Sequence, residues 1–116
     1  MKVSTAMFVE NKGYILKTLA IDMLDAPMPD YISREYMIAN KLLIASTNIN
    51  YAAAYVKYFK DTWVGEYPNI ANDPAILGTL YNMGHNQTTP NTSPKANLFG
   101  TNVGKHYGAM AYLLVL

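Results

Sequence analysis

Apolar residues in this chain recur at the helical period, and no useful length of alternating apolar and polar residues interrupts them. That pattern constrains the fold most, because a half-buried strand needs a period of two and an amphipathic helix a period near 3.6. From Asn48, the residues Ile49, Ala52, Ala53, Val56, Phe59 and Trp63 make an i, i+3, i+4, i+7 stripe. Lys57, Lys60 and Asp61 fall to its solvent side. The class is all-α, with five or six helices.

Helix punctuation places the elements. Ser4 or Thr5 opens a short helix that Gly13 ends, and a second runs from about Tyr14 to Leu24. Asp25-Ala26-Pro27-Met28-Pro29-Asp30 breaks the helical pattern, since two nearby prolines do not fit a helix interior. Ser33 caps a helix through Met37, Ile38, Leu42 and Ala45, and the run Leu42-Leu43-Ile44-Ala45 reads as central and buried. Ser46 and Thr47 mark the next start, and Gly65 the end of that helix. Asp73-Pro74 is a strong start, with Asp as cap and Pro in the first turn. Ile76, Leu80 and Met83 form the buried stripe there, and Gly84 the stop. His85 to Leu98, rich in Asn, Thr, Pro and Ser, is the long loop, and a last helix begins near Thr101.

The chain has 116 residues, the size of a single domain. Hydrophobic residues at 51% against 15% charged exclude disorder for most of it. A formal net charge of +1 gives no field for nucleic acid or an anionic membrane. No cysteine is present, which removes disulfides, thiol nucleophiles and thiolate metal sites. The two histidines, His85 and His106, stand without an acidic cluster, so no metal or other cofactor is expected. The apolar run Ala109 to Leu116 is too short to span a membrane. Met1-Lys2-Val3-Ser4-Thr5-Ala6 lacks the apolar region of a secretory signal. Ten tyrosines and seven methionines are many for so few charges. The surface they supply is either buried or meant for a partner.

Several segments together resemble the lysozyme-like lytic transglycosylase superfamily of bacterial cell-wall enzymes. Asn48-Ile49-Asn50-Tyr51-Ala52-Ala53-Ala54-Tyr55 resembles the family's Asn-Ile, small residues, then Tyr helix start. Leu80-Tyr81-Asn82-Met83-Gly84 resembles its Ala-Tyr-Asn-Ala-Gly motif. Met1 to Ala6 looks like the tail of its Gly-Leu-Met-Gln segment, with Lys2 at the Gln position. Asn97-Leu98-Phe99-Gly100 is similar to an Asn-x-Phe-Gly-like segment in one branch of the superfamily.

The resemblance implies the later part of a lysozyme-like domain over residues 1–116, a peptidoglycan glycan strand as partner, and a place in the cell envelope or outside the cell. It implies that the family's acid/base glutamate lies before Met1, so that no residue here inherits that role and the domain binds rather than cleaves. Part of the apolar surface would then belong against that missing segment. The matching tyrosine, Tyr81, would line the glycan cleft, and Asn82 would hold the helix end and loop. Tyr55, from a tyrosine stripe at 51, 55 and 58 that is either a sugar wall or core, and His85 complete the candidate set. Glu10 and Glu66, the carboxylates with no evident capping or turn role, read as solvated helix residues. The alternative reading is a non-catalytic interaction module that self-associates.

Overall fold

The computed structural model describes residues 1–18 and 33–115, with the side chains of the last helix described as far as Tyr107. Its described residues form five α-helices and no strand: α1 (Val3–Asn11), α2 (Arg34–Leu42), α3 (Ala45–Trp63), α4 (Pro74–Met83) and α5 (Leu98–Val115). The chain packs as two compact units, Met1–Tyr55 and Val56–Leu116. Their boundary falls inside α3.

In the first unit, α1 ends where the sequence places its stop. Gly13 adopts φ 81°, its N–H reaches the Glu10 carbonyl (3.0 Å), and the Tyr14 N–H reaches that of Val9 (3.2 Å). These two bonds are a Schellman closure, and the left-handed residue it needs is the glycine. The expected helix from Tyr14 does not form over Tyr14 to Thr18. There the Thr18 N–H is bonded to the Glu10 carboxylate (2.8 Å) instead of a helical carbonyl. The rest of that helix and the paired-proline turn lie outside the described residues. Ser33 caps α2 by accepting the Tyr36 N–H (3.3 Å).

Ala6, Ile38 and Tyr51 are the buried centre of this unit, with Met7, Ile15 and Leu42 packed on it. Three expectations fail here. Leu43 and Ile44 are 83% and 56% exposed, because α2 stops at Leu42 and the run turns a corner instead of continuing as a buried helix. α3 begins at Ala45, ahead of Ser46 and Thr47. Asn48 donates to the Leu42 carbonyl (3.0 Å), satisfying an acceptor at the end of α2. The buried face of α3 is also rotated from the expected stripe. Tyr51, Ala54, Tyr55, Phe59 and Trp63 are buried, whereas Ile49 is 66% exposed. The tyrosine at 51 turns inward because its hydroxyl has a buried partner, described below.

In the second unit, Asp73 accepts the Ile76 N–H at Oδ1 (3.2 Å) and the Tyr67 hydroxyl at Oδ2 (2.6 Å). The same carboxylate therefore caps α4 and ties down the 3-10 turn Pro68–Asn72. Ile76, Leu77 and Leu80 are buried with Phe59, Trp63 and Ile70, while Met83, expected inside, is 44% exposed. Gly84 ends α4 with φ 88°. Helices α4 and α5 pack closely through small residues. A Cβ on Gly100 would overlap Thr79 Oγ1 and the Ala75 carbonyl oxygen, and one on Gly78 would lie 3.0 Å from Val103 Cβ.

α5 begins at Leu98 rather than Thr101, because Asn97 is its cap. Asn97 Oδ1 accepts the Gly100 N–H (2.8 Å). The loop before it is fixed by its own polar side chains: Thr88 donates to the Gly84 carbonyl (3.0 Å), and Asn91 accepts the Ser93 N–H (3.0 Å).

Candidate functional site

Tyr81 stands on the last turn of α4. Ile76, Leu77 and Leu80 are buried, and that leaves Tyr81 half-buried at the flank of the helix. There it lines a cavity of ≈ 480 Å³ within the second unit. That volume falls in the range of about 300 to 1,000 Å³ that encloses a small ligand. Phe99 and Tyr107 of α5 are further aromatic walls, 44% and 62% exposed. Leu77 and Val103 supply apolar floor, and Lys60 and Asn72 supply polar groups. No Asp or Glu is among the described lining residues. A second hollow of ≈ 360 Å³ shares Phe99, Val103 and Tyr107 and adds Asn102 and His106. The aromatic face of α5 is thus a ridge between two hollows.

Asn82 is exposed and accepts a hydrogen bond from Asn97 Nδ2 (3.1 Å). The Asn97 N–H in turn donates to Thr79 Oγ1 (3.0 Å), and that hydroxyl donates to the Ala75 carbonyl (2.8 Å). Through this chain the end of the long loop is fastened to α4, which sets Phe99 beside Tyr81. His85 is half-buried in the 3-10 turn His85–Gln87, its ring meeting Tyr58 edge-on with centroids 6.4 Å apart. Tyr55 belongs to the first unit, is 3% exposed, and packs edge-on against Phe8 with centroids 6.3 Å apart. Of the four candidates, Tyr81 lines the cavity; Asn82 and His85 are not among its lining residues. Phe99, Tyr107, Lys60 and Asn72 were not anticipated there. Phe99, Val103 and Tyr107 do share a helical face, at i, i+4 and i+8, but the pattern emerges only when α5 is extended back to Leu98.

The first unit holds the most concentrated polar chemistry. Glu10 is 3% exposed, which corrects its reading as a solvated helix residue. Its carboxylate accepts the Tyr51 hydroxyl (2.5 Å), the Thr18 N–H (2.8 Å), the Thr18 hydroxyl (2.8 Å) and Arg34 Nη2 (3.0 Å). Lys41 Nζ donates to Thr18 Oγ1 (2.8 Å), and Arg34 Nη2 also reaches Asn11 Oδ1 (2.9 Å). Burial pushes the Glu10 carboxyl up, but the bonds from Tyr51, Thr18 and Arg34 outweigh it and hold the group below its usual range. Burial and the same carboxylate raise the Tyr51 phenol. A general acid for glycoside cleavage needs a carboxyl kept protonated near neutrality. Glu10 is tuned the opposite way and reads as a structural anion. Glu66 is exposed, but it lies in the turn after α3 and not in a helix.

Among the described residues, no group of His, Asp or Glu is placed to hold a metal ion, and no helix is long and apolar enough to cross a membrane. No family model, curated protein or solved structure matches the chain.

Proposed function

We propose that this chain is a lysozyme-like, peptidoglycan-binding domain of lytic transglycosylase type, which holds a glycan strand in the cavity beside Tyr81 without cleaving it. The observation that carries the reading is the aromatic cavity of ≈ 480 Å³ at the tyrosine of the Leu80-Tyr81-Asn82-Met83-Gly84 motif. Sugar rings offer apolar C–H faces to aromatic rings and hydroxyl edges to a few polar groups. Tyr81, Phe99 and Tyr107 supply the first, and Asn72, Lys60 and the phenolic hydroxyls the second. Among the described residues, the lining has no carboxyl group to protonate a leaving oxygen.

Chemical shift mapping with chitotetraose and with a tetrasaccharide of alternating N-acetylglucosamine and N-acetylmuramic acid tests it. Shifts centred on Tyr81, Phe99 and Tyr107 are expected, with Tyr81→Ala weakening binding about tenfold, the loss of one stacking wall and one hydroxyl. Absence of binding to both oligosaccharides overturns the reading, and release of anhydro-muropeptides from peptidoglycan overturns its non-cleaving part.

A second reading, self-association, draws on Leu43, Ile44 and Ile49, large apolar residues exposed at the α2–α3 corner. It requires a sedimentation coefficient that rises with concentration and falls back in Leu43→Asp.

A further inference from the structure

Among the described residues, Lys60 is the single charged one lining the cavity beside Tyr81. It lies on the exposed side of α3, in a sequence where its neighbours are already committed: Lys57 Nζ pairs with Asp61 (3.4 Å). Lys60 has no ion-pair partner among the described residues. The other polar side chains of the described lining carry no formal charge: the Asn72 amide and the phenols of Tyr81 and Tyr107. A mostly apolar hollow with one cation at its edge is complementary to a ligand with an apolar face and one negative charge. A lone ammonium is a point charge without the planar fork of arginine, and no second cation joins it among the described lining residues. That matches a monovalent carboxylate better than a phosphate dianion.

We propose that Lys60 makes the cavity selective for glycan that carries a free carboxylate on the lactyl ether of its muramyl residues. The inference rests on the glycan-binding reading above and adds a ligand state to it. In intact peptidoglycan that lactyl group is an amide, joined to the peptide stem, and carries no charge at the position in question. The carboxylate appears when the amide C–N bond is hydrolysed, water supplying the hydroxyl to the acyl carbon and a proton to the departing amine. The preferred ligand is therefore a stripped strand, and the class of reaction that must supply it is amide hydrolysis at the lactyl group. Lys60 is a specificity-determining residue in this account.

The test uses the whole chain and three tetrasaccharides in calorimetric titrations. These are the alternating N-acetylglucosamine–N-acetylmuramic acid form with free lactyl carboxylates, the same compound with each carboxylate converted to its methylamide, and chitotetraose. The free acid should bind about fivefold tighter than its amide at low salt, the size of one partly exposed ion pair. The advantage should shrink at high salt and vanish in Lys60→Met, while Lys60→Arg keeps most of it. Helicity by circular dichroism should be unchanged in both variants, since the Lys60 side chain is exposed and makes no bond that supports the helix. Equal binding of acid and amide by the unaltered chain overturns the selectivity and leaves glycan binding standing. Persistence of the preference in Lys60→Met overturns the assignment to Lys60. Failure of all three sugars to bind overturns the glycan reading and this inference with it.

Discussion

Glu10 shows how far a residue's surroundings decide its role. Four hydrogen bonds and the Arg34 charge hold it ionised in a site closed to water. Its folded-state pKa lies below the ordinary 4.5, so the unfolded chain takes up the proton more readily. The stability it contributes is therefore full above about pH 4.5 and lost as pH falls through the lower folded value. Acid titration followed by circular dichroism should show that loss, and Glu10→Gln should lack it. At neutral pH the same variant should be destabilised by roughly 3 kcal/mol, since the amide leaves Arg34 without its counter-charge and turns an N–H₂ toward a donor. Tyr51→Phe should lower stability by about 1 to 3 kcal/mol in denaturant titration, because it strips one donor from a carboxylate that water cannot reach. None of this cluster was legible beforehand. Glu10 bonds residues 8, 24 and 41 positions away. A pairing at that separation leaves no trace in a local pattern, and a carboxylate on a short helix reads as solvated.

Among the elements, α4 and α5 are held by the absence of side chains at the crossing. Gly100→Ala should unfold the second unit or lower its stability by more than about 3 kcal/mol. The added methyl meets the Ala75 carbonyl and sits 2.9 Å from Thr79 N, and backbone atoms do not yield. Gly78→Ala is a finer probe. The nearest atom is Val103 Cβ at 3.0 Å, which no rotamer can move. Helix propensity returns about 1 kcal/mol, so a net loss of roughly 1 kcal/mol is expected. Val103→Ala in the same chain should recover part of it, and a thermal-melt double-mutant cycle measures the coupling. Strictly additive losses would mean that the two Val103 methyls, 3.2 Å from the added Cβ, contribute nothing to the clash. Ends set by local chemistry were legible here: Asp73-Pro74, Gly13 and Gly84 signal caps through their own backbone preferences. The start of α5 was not, because the cap, Asn97, is held from a distance by Thr79 and Asn82. The buried face of α3 was misread for a related reason. Tyrosine scores as half-polar in any pattern, yet Tyr51 and Tyr55 are inside.

For the whole molecule, the all-α class was legible because the helical period runs nearly throughout. The division into two units was not. It falls within α3, between Tyr55 and Val56, where no glycine, proline or polar linker marks it. If the units are separate cooperative bodies, hydrogen exchange should show it. Glu10→Gln should accelerate exchange in α1, α2 and the first half of α3 more than in α4 and the described part of α5. A uniform increase along the chain would mean that they open as one.

The α4–α5 crossing also limits how this chain can drift in evolution. Asp73, Thr79, Gly84, Asn97 and Gly100 are each fixed by a bond, a positive φ or a forbidden methyl. Distant relatives should therefore retain this sparse skeleton even after their remaining residues have diverged. Its spacing, an Asp-Pro start, a Gly-Thr pair, a terminal Gly, and then Asn with Gly in the next turn, is a signature by which they could be found.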